Sequence, residues 1–476
     1  MKPFKSKKSG TTTYVPLKYV VISILFTIII TAAIILTILW YWKNTSTDPS
    51  IQKNAEKLGE VYEVIATDYY KNTDKELLLE DAIKGMTKSL KDPYTEYMST
   101  EETKSFNEDV SGDFVGIGAE MEQKNEKIYI ASPIKESPAE KAGIQPKDEL
   151  IAVDGKPVKG KQLTEIVKEV RGKEGTTVKL LINRNGDEKE FSIKRETIHV
   201  ESVKHEKHGQ THVFKINKFQ EGTSDELKAA IEKAQKQGAK HILIDLRNNP
   251  GGLLDEAVNM ANIFVDKGET VVQLEKGKQT RQITTDHARL KGIEKLDVGI
   301  LMNEGSASAS EVFTGALKDH GIAKVYGEKS FGKGIVQTTR EFSDGSLLKF
   351  TEMKWLTPKG HYIHEKGIKP DVEIKGAAYE NMKVIPSDKT FKVGDKSEYI
   401  KSLKTGLDAL GYDVGEMNEN FDSTLEEAVR SFQSDQKVES DGVFNRKTNE
   451  KLTEQLVNKS TEEDVMLDRT LKKIGE

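Results

Sequence analysis

The chain contains no cysteine in 476 residues. A disulfide framework, a cysteine nucleophile and a thiolate metal site are therefore excluded. Net charge is nearly absent as well: 72 basic residues face 77 acidic ones, leaving −5. A general nucleic-acid binder carries a basic excess, so no nucleic-acid partner is expected. No G-x-S-x-G elbow occurs, which argues against an α/β-hydrolase. His205, His208 and His212 lie close in sequence, but no carboxylate pattern beside them matches a zinc motif. Alternation along a strand should splay them, so neither a metal nor a cofactor is expected. His361 and His364 read as structural.

Long apolar runs are also missing, with one exception. Tyr19 to Trp42 is uncharged and rich in Ile, Val and Leu. As a helix it exceeds the roughly 30 Å hydrocarbon core of a bilayer. Trp40, Tyr41 and Trp42 give it an aromatic end suited to the interface. Lys2, Lys5, Lys7, Lys8 and Lys18 precede it without an acid. The positive-inside rule then makes residues 1–18 a cytoplasmic basic tail, 19–42 a transmembrane helix, and all that follows extracytoplasmic. The competing reading is a cleaved secretory signal. The block is longer than the roughly 7–15 residues of a signal's apolar core, and no small-x-small site follows it.

After the block, Leu58, Val61, Tyr62, Ile65 and Tyr69 recur at helical spacing. A second helix is expected over residues 76–90, ending before Asp92-Pro93. Together these make an N-terminal helical region, 51–100, with too little apolar surface to stand alone. Residues 111–197 read as a β-rich unit of short alternating runs, punctuated by Asp154-Gly155 and Asn185-Gly186. Residues 200–380 alternate strand and helix, the pattern of a mixed α/β layer. Residues 391–457 read as a separate small α-helical module, followed by a charged tail.

Three stretches of the α/β region carry chemistry. Asn303-Glu304-Gly305-Ser306-Ala307-Ser308-Ala309-Ser310-Glu311 follows an apolar strand and opens a helix. A serine there meets helix N–H groups and the positive end of the dipole. Ser308 and Glu311 also fit a plain capping box, so the stretch alone supports either reading. Phe331-Gly332-Lys333-Gly334-Ile335-Val336-Gln337 sets a lysine between glycines. A lysine acts as a general base only when neutral, which burial favours. On a strand Gln337 shares the face of Lys333 and could hold its amine without adding charge. A surface lysine in a glycine turn would look the same. Asp245-Leu246-Arg247-Asn248-Asn249-Pro250-Gly251-Gly252 ends an apolar strand, where α/β sheets place their sites. A free glycine N–H there suits an oxyanion. A structural strand-to-helix turn is the alternative.

In this order the three stretches resemble the carboxy-terminal processing (tail-specific) protease family, through its G-S-A-S-A-S-E, F-G-K-G-x-x-Q and D-L-R-x-N-P-G-G motifs. The resemblance implies Ser308 as nucleophile, about 25 residues before Lys333 as general base. It also implies Gln337 as the residue orienting the lysine, with oxyanion N–H groups from Ala309 and Gly252. Asp92-Pro93-Tyr94-Thr95-Glu96-Tyr97-Met98, Thr357-Pro358-x-Gly360 and Gly367-Ile368-x-Pro370-Asp371 are similar to further family motifs. They extend the likeness over nearly all of the chain after the apolar block. The rival from another class is a catalytically silent scaffold tethered between membrane and wall.

Residues 111–197 are similar to a PDZ domain. Phe114, Val115, Gly116, Ile117 and Gly118 resemble its carboxylate-binding loop, and a bound tail would add as a strand to the sheet edge. Ser137-Pro138-Ala139-Glu140-Lys141-Ala142-Gly143-Ile144 carries the likeness further. The family implies a protein or peptide substrate with an apolar C-terminal tail, and Arg171 is the candidate to couple tail binding to catalysis. Residues 391–457 resemble a peptidoglycan-binding module through Leu407-x-x-Leu410-Gly411-Tyr412, Phe432-Gln433 and Asp441-Gly442-Val443-Phe444. Leu403-Lys404 departs from the Leu-Gln of that pattern. Peptidoglycan and a second copy of the chain, as a homodimer, are the further partners suggested.

Overall fold

Two units make up the computed structural model, Met1–Lys91 and Asp92–Glu476, and it describes residues 17–44, 48–124 and 126–474. The first unit is helical: Leu17–Asn44, Pro49–Asp68 and Lys75–Ser89. Asp48 and Asp74 cap the second and third by accepting from Ser50 and from Glu76 and Leu77. Neither of those two helices buries a residue, and Leu58, Val61 and Ile65 stay exposed. The block 19–42 falls in Leu17–Asn44. Among the described residues no helix is long and apolar enough to cross a membrane. Most of the basic tail, and the side chains of Trp40, Tyr41 and Trp42, lie outside the described residues.

The second unit is built on a six-stranded sheet in the order 203–208, 211–216, 241–245, 297–302, 323–327 and 372–373. All pairs are parallel except the first. Its central strands are nearly continuous apolar runs because both faces are covered. Phe214, Ile242, Ile244, Ile300 and Met302 face the helices Thr223–Lys236, Leu254–Asn262 and Ala309–Asp319 in the main core. Val213, Leu243 and Leu301 face the other way, onto Met466 and Leu467 of a final helix, Val465–Ile474. The charged tail is thus part of the packing of the six-stranded sheet. Its Met466, Leu467, Leu471 and Ile474 form an apolar stripe on one side of an otherwise polar helix.

A second, antiparallel sheet contains Glu96–Met98, Ile335–Glu341, Leu347–Leu356, Thr270–Lys276 and Gln279–Thr284. Sequence alternation did not separate these strands from the parallel ones, because the pairing joins residues far apart in the chain.

The β-rich unit is a five-stranded antiparallel path, Ala119–Lys124, Lys127–Pro133, Glu149–Val153, Thr177–Arg184 and Asp187–Lys194. Helices Pro138–Ala142 and Leu163–Val170 complete it. Two of its turns have positive φ at both central residues: Asp154 at 47° and Gly155 at 76°, Asn185 at 57° and Gly186 at 98°. Such dihedrals match the twist of a hairpin and favour these residue types. A separate two-stranded ribbon, Asp113–Gly116 with Glu196–His199, lies at the two ends of this unit in the chain.

Helices Glu398–Ala409, Ser423–Asp435 and Arg446–Glu462 form the last module around Leu403, Leu407, Phe421, Phe432, Phe444 and Leu452. Lys404 is fully buried there. Its ammonium donates to the Glu416 carbonyl at 2.8 Å, Asn418 Oδ1 at 3.2 Å and Asp422 Oδ2 at 2.9 Å. Gln433 holds the second loop likewise, through Asp441, Val443 and Gly442. The lysine thus does structural work where the pattern has glutamine.

Candidate active site

The helix Ala309–Asp319 starts directly after the strand Asp297–Met302 and one tight turn. Three serines lie in that turn and the first turn of the helix, and their surroundings differ. Ser306 is buried, and its hydroxyl donates to the Leu246 carbonyl at 2.8 Å. Ser310 is buried and donates to the Asn249 carbonyl at 3.0 Å. Both hydroxyls tie the serine turn to turn 245–252. Ser308 alone is partly open, and it lines a cleft of about 840 Å³. Its φ of 55° lies in the left-handed region, strained for a serine.

Glu311 holds that conformation. Its buried carboxylate accepts from the Ser308 N–H at 2.9 Å and the Lys333 N–H at 2.8 Å. The other oxygen accepts from Ser330 Oγ at 2.6 Å and the Gly332 N–H at 2.7 Å. One carboxylate thereby fixes the serine turn and the lysine loop together. Burial pushes its pKa up, against the four hydrogen bonds that favour the ionised form. Sequence reasoning saw Glu311 only as half of a capping box. The signal available was its place at the end of the serine motif.

Lys333 lines the same cleft. Burial lowers its pKa most, and Lys349 lowers it further, against Asp92 and Glu311. Its ammonium donates to Gln337 Oε1 at 2.6 Å and lies 4.8 Å from the Tyr94 ring centre. Gln337 is in turn held by the Tyr94 carbonyl. Asp92 fixes that segment by accepting from the Tyr94 N–H at 2.9 Å and from Thr95 and Thr351 at 2.7 Å. The Asp92-Pro93-Tyr94 motif therefore supports the lysine's partner, a role invisible in the sequence. In this arrangement Lys333 Nζ bonds Gln337 and not Ser308. The flanking glycines are needed for close approach: a Cβ at Gly332 would lie 2.8 Å from the Gly367 nitrogen, and one at Gly334 2.7 Å from that of His364.

Turn 245–252 packs on the serine. A Cβ at Gly251 would lie 2.8 Å from Ser308 Cβ, and one at Gly252 2.1 Å from the Phe219 carbonyl oxygen. Gly252 bridges Phe219 through its neighbours, so its own N–H stays unused. The Ala309 N–H, first in its helix, is unused too. Among the described residues neither has an acceptor, and both residues line the cleft. Ala309 is buried, and a buried N–H without an acceptor is uncommon in folded proteins; Gly252 is exposed.

In the β-rich unit, Phe114, Val115 and Gly116 pair with Ile198, Thr197 and Glu196. The N–H groups of Ile117 and Gly118 have no acceptor among the described residues. Gly118 has φ 72° and sits where a Cβ would meet Ser137 Cβ at 2.4 Å. The strand that follows, Ala119–Lys124, pairs on one side only, leaving an open edge. Arg171 stacks on Phe114, 4.7 Å from the ring centre, and pairs with Glu108 of the helix Thr100–Ser111. The pair is two-fifths exposed on the arginine side, so it is weak, about 0–1 kcal/mol.

The histidines correct one expectation. His205 and His212 are not splayed: their rings stack, with Nε2 and Nδ1 2.8 Å apart. They lie on adjacent antiparallel strands, where residues one diagonal step apart share a face. His208 is exposed beside Glu206. Among the described residues no group of three or more His, Cys, Asp or Glu could hold a metal.

Comparison with known proteins follows this layout. Residues 211–374 match the family model "Peptidase family S41", and residues 115–194 match "PDZ domain". Residues 41–103 match "Activating protease CtpB N-terminal domain" and residues 396–452 "Putative peptidoglycan binding domain". A Staphylococcus aureus protein named "Probable CtpA-like serine protease" is 57% identical over 453 residues, 94% of this chain and 91% of the relative. One of the same name from Staphylococcus saprophyticus is 57% identical over 459 residues, 96% and 93% of the two chains. The solved structure of a photosystem II D1 C-terminal processing protease is 28% identical, covering 67% of this chain and 86% of that one, with a TM-score of 0.41. The chain belongs to peptidase family S41, the carboxy-terminal processing serine proteases, and carries a PDZ domain.

Proposed function

We propose that the chain is a membrane-anchored, extracytoplasmic endopeptidase that works through a Ser308–Lys333 dyad. One observation carries the reading: Ser308 is the only open serine of its motif, and it shares a cleft with a half-buried lysine and two unused N–H groups. Neutral Lys333 takes the proton of Ser308 as its oxygen attacks the scissile carbonyl. The developing oxyanion is met by the N–H groups of Ala309 and Gly252. Lys333 then protonates the leaving amine, and water releases the acyl group. Gln337 holds the lysine without contributing charge.

The dyad must close from the resting arrangement, in which Lys333 bonds Gln337. Tail binding supplies the trigger in this account. The tail adds to the open edge 119–124, its carboxylate reaches the Ile117 and Gly118 N–H groups, and Arg171 leaves Glu108. Leu253, Val312, Ile335 and Trp355 line the cleft and suit an apolar residue beside the scissile bond. The anchor rests on the uncharged block 19–42 with its basic flank. The C-terminal module supports a place near the cell wall, and the exposed apolar faces of the N-terminal helices support a dimer.

The test uses the soluble portion from Asn44 onward and an unstructured protein with an apolar C-terminus. Wild type should cleave it, and Ser308→Ala and Lys333→Ala should not. Equal cleavage by all three would reject the dyad. Tail binding without cleavage by any would favour the silent scaffold.

A further inference from the structure

Arg247 lies two residues past the strand His241–Asp245, in the turn 245–252, and its side chain is 12% exposed. Its guanidinium makes two forks. One goes to Asp245, from Nε to Oδ1 at 2.9 Å and from Nη2 to Oδ2 at 2.6 Å. The other goes to Asp464, 217 residues later, from Nη1 and Nη2 at 2.6 Å each. Two-point charged pairing of this kind fixes orientation as well as distance. Asp464 also caps the final helix by accepting from the Leu467 N–H at 2.9 Å. That helix buries Met466 and Leu467 on the far face of the six-stranded sheet.

The backbone beside Arg247 runs straight into the site. The Leu246 carbonyl accepts from Ser306 Oγ at 2.8 Å. The Asn248 N–H donates to Asn303 Oδ1 at 2.8 Å, and Asn303 Nδ2 returns a bond to Asn248 Oδ1 at 2.9 Å. Asn249 Oδ1 accepts from the Gly251 N–H at 2.9 Å, next to Gly252. A shift of Arg247 therefore moves both the oxyanion turn and the serine turn.

We propose that Asp464 is a positioning residue for catalysis: through Arg247 it holds turn 245–252 where the Gly252 N–H meets the developing oxyanion. The C-terminal helix is thus a clamp on the active site and not a mere terminus. The helix Arg446–Glu462 of the last module ends two residues before Asp464. The inference rests on the reading of Ser308 as nucleophile.

Asp464→Asn is the informative change, because asparagine still caps a helix but loses the charged fork. Wild type, Asp464→Asn, Asp464→Glu and Ser308→Ala are compared for kcat, KM and Tm on one unstructured substrate. A misplaced oxyanion donor acts in the transition state, so Asp464→Asn should lower kcat about tenfold with KM within about twofold. Tm should stay within about 2 °C of wild type. Asp464→Glu, which keeps the carboxylate, should regain at least half of the lost kcat. An unchanged kcat in Asp464→Asn, or a loss accompanied by an equal fall for Asp464→Glu and a drop in Tm, overturns the proposal. Cleavage by Ser308→Ala overturns the nucleophile reading itself, and is seen separately.

Discussion

Three serines within five residues share almost the same local sequence, and only their partners tell them apart. Ser306 and Ser310 spend their hydroxyls on the carbonyls of Leu246 and Asn249, while Ser308 faces the cleft. The choice of Ser308 came from family resemblance; what distinguishes it from its neighbours in the structure is their contacts sixty residues away, which spacing cannot show. Glu311 shows the same limit. Glu311→Gln replaces one accepting oxygen by a donor, leaving two of the four N–H or O–H groups around it unpaired. Each costs about 1–3 kcal/mol. The expected result is a lower Tm together with a fall in kcat/KM of at least about tenfold, read by thermal melts and peptide cleavage. The proposed role of Lys333 carries a pH dependence. Its pKa lies below the ordinary lysine value through burial, and a lysine serving as base acts only when neutral. Activity should therefore rise with pH along an alkaline limb. The same group weakens the fold at lower pH. The folded lysine releases its proton more readily than the unfolded one, so the penalty is complete below the folded pKa. It disappears as pH rises through the ordinary lysine value.

At the scale of elements, turns were the most legible feature. Asp154-Gly155 and Asn185-Gly186 mark hairpins because few other residues accept positive φ at two successive positions. The glycines of Phe331-Gly332-Lys333-Gly334 and of Gly251-Gly252 were also readable as close approaches, and the structure gives the neighbours. Gly251→Ala drives a methyl against Ser308 Cβ and the Ala307 carbonyl, at a φ of 103° that suits glycine. It should reduce kcat about a hundredfold while the protein still folds, as oxyanion-hole losses do; circular dichroism and cleavage assays on one preparation would check both halves. What the sequence concealed was partition. Leu347–Leu356 and Asp297–Met302 read alike as strands, yet they belong to different sheets, since nothing local encodes the long-range pairing that sorts them. The weak Arg171–Glu108 pair is an element-scale contact of this kind. Arg171→Ala should abolish the stimulation of cleavage by a tail peptide while leaving binding of the peptide measurable by fluorescence titration.

For the whole molecule, family resemblance and the alternation of strand and helix pointed to a PDZ unit before an α/β core, and the matched models fall in that order. The return of the chain end to the six-stranded sheet was not visible in the sequence. Met466, Leu467, Leu471 and Ile474 carry a helical stripe, but their partners, Val213, Leu243 and Leu301, are the outward residues of strands whose inner face was already accounted for. Within the module, Lys404 explains a departure from the expected pattern. Lys404→Ala would leave Asp422, which is partly exposed, and two loop acceptors without their donor, and should destabilise the module by about 1–3 kcal/mol. Lys404→Gln should retain most of that stability, as judged by thermal melts of both variants.

The central claim is that Ser308 is the nucleophile and neutral Lys333 its base. It is tested most directly by finding which residue a small serine-directed phosphonylating reagent modifies, by intact mass and peptide mapping, between about pH 6 and about pH 10. The account predicts one adduct, on Ser308, forming faster as pH rises and absent from Lys333→Ala. An adduct on Ser306 or Ser310, or labelling of Lys333→Ala at the wild-type rate, would contradict it.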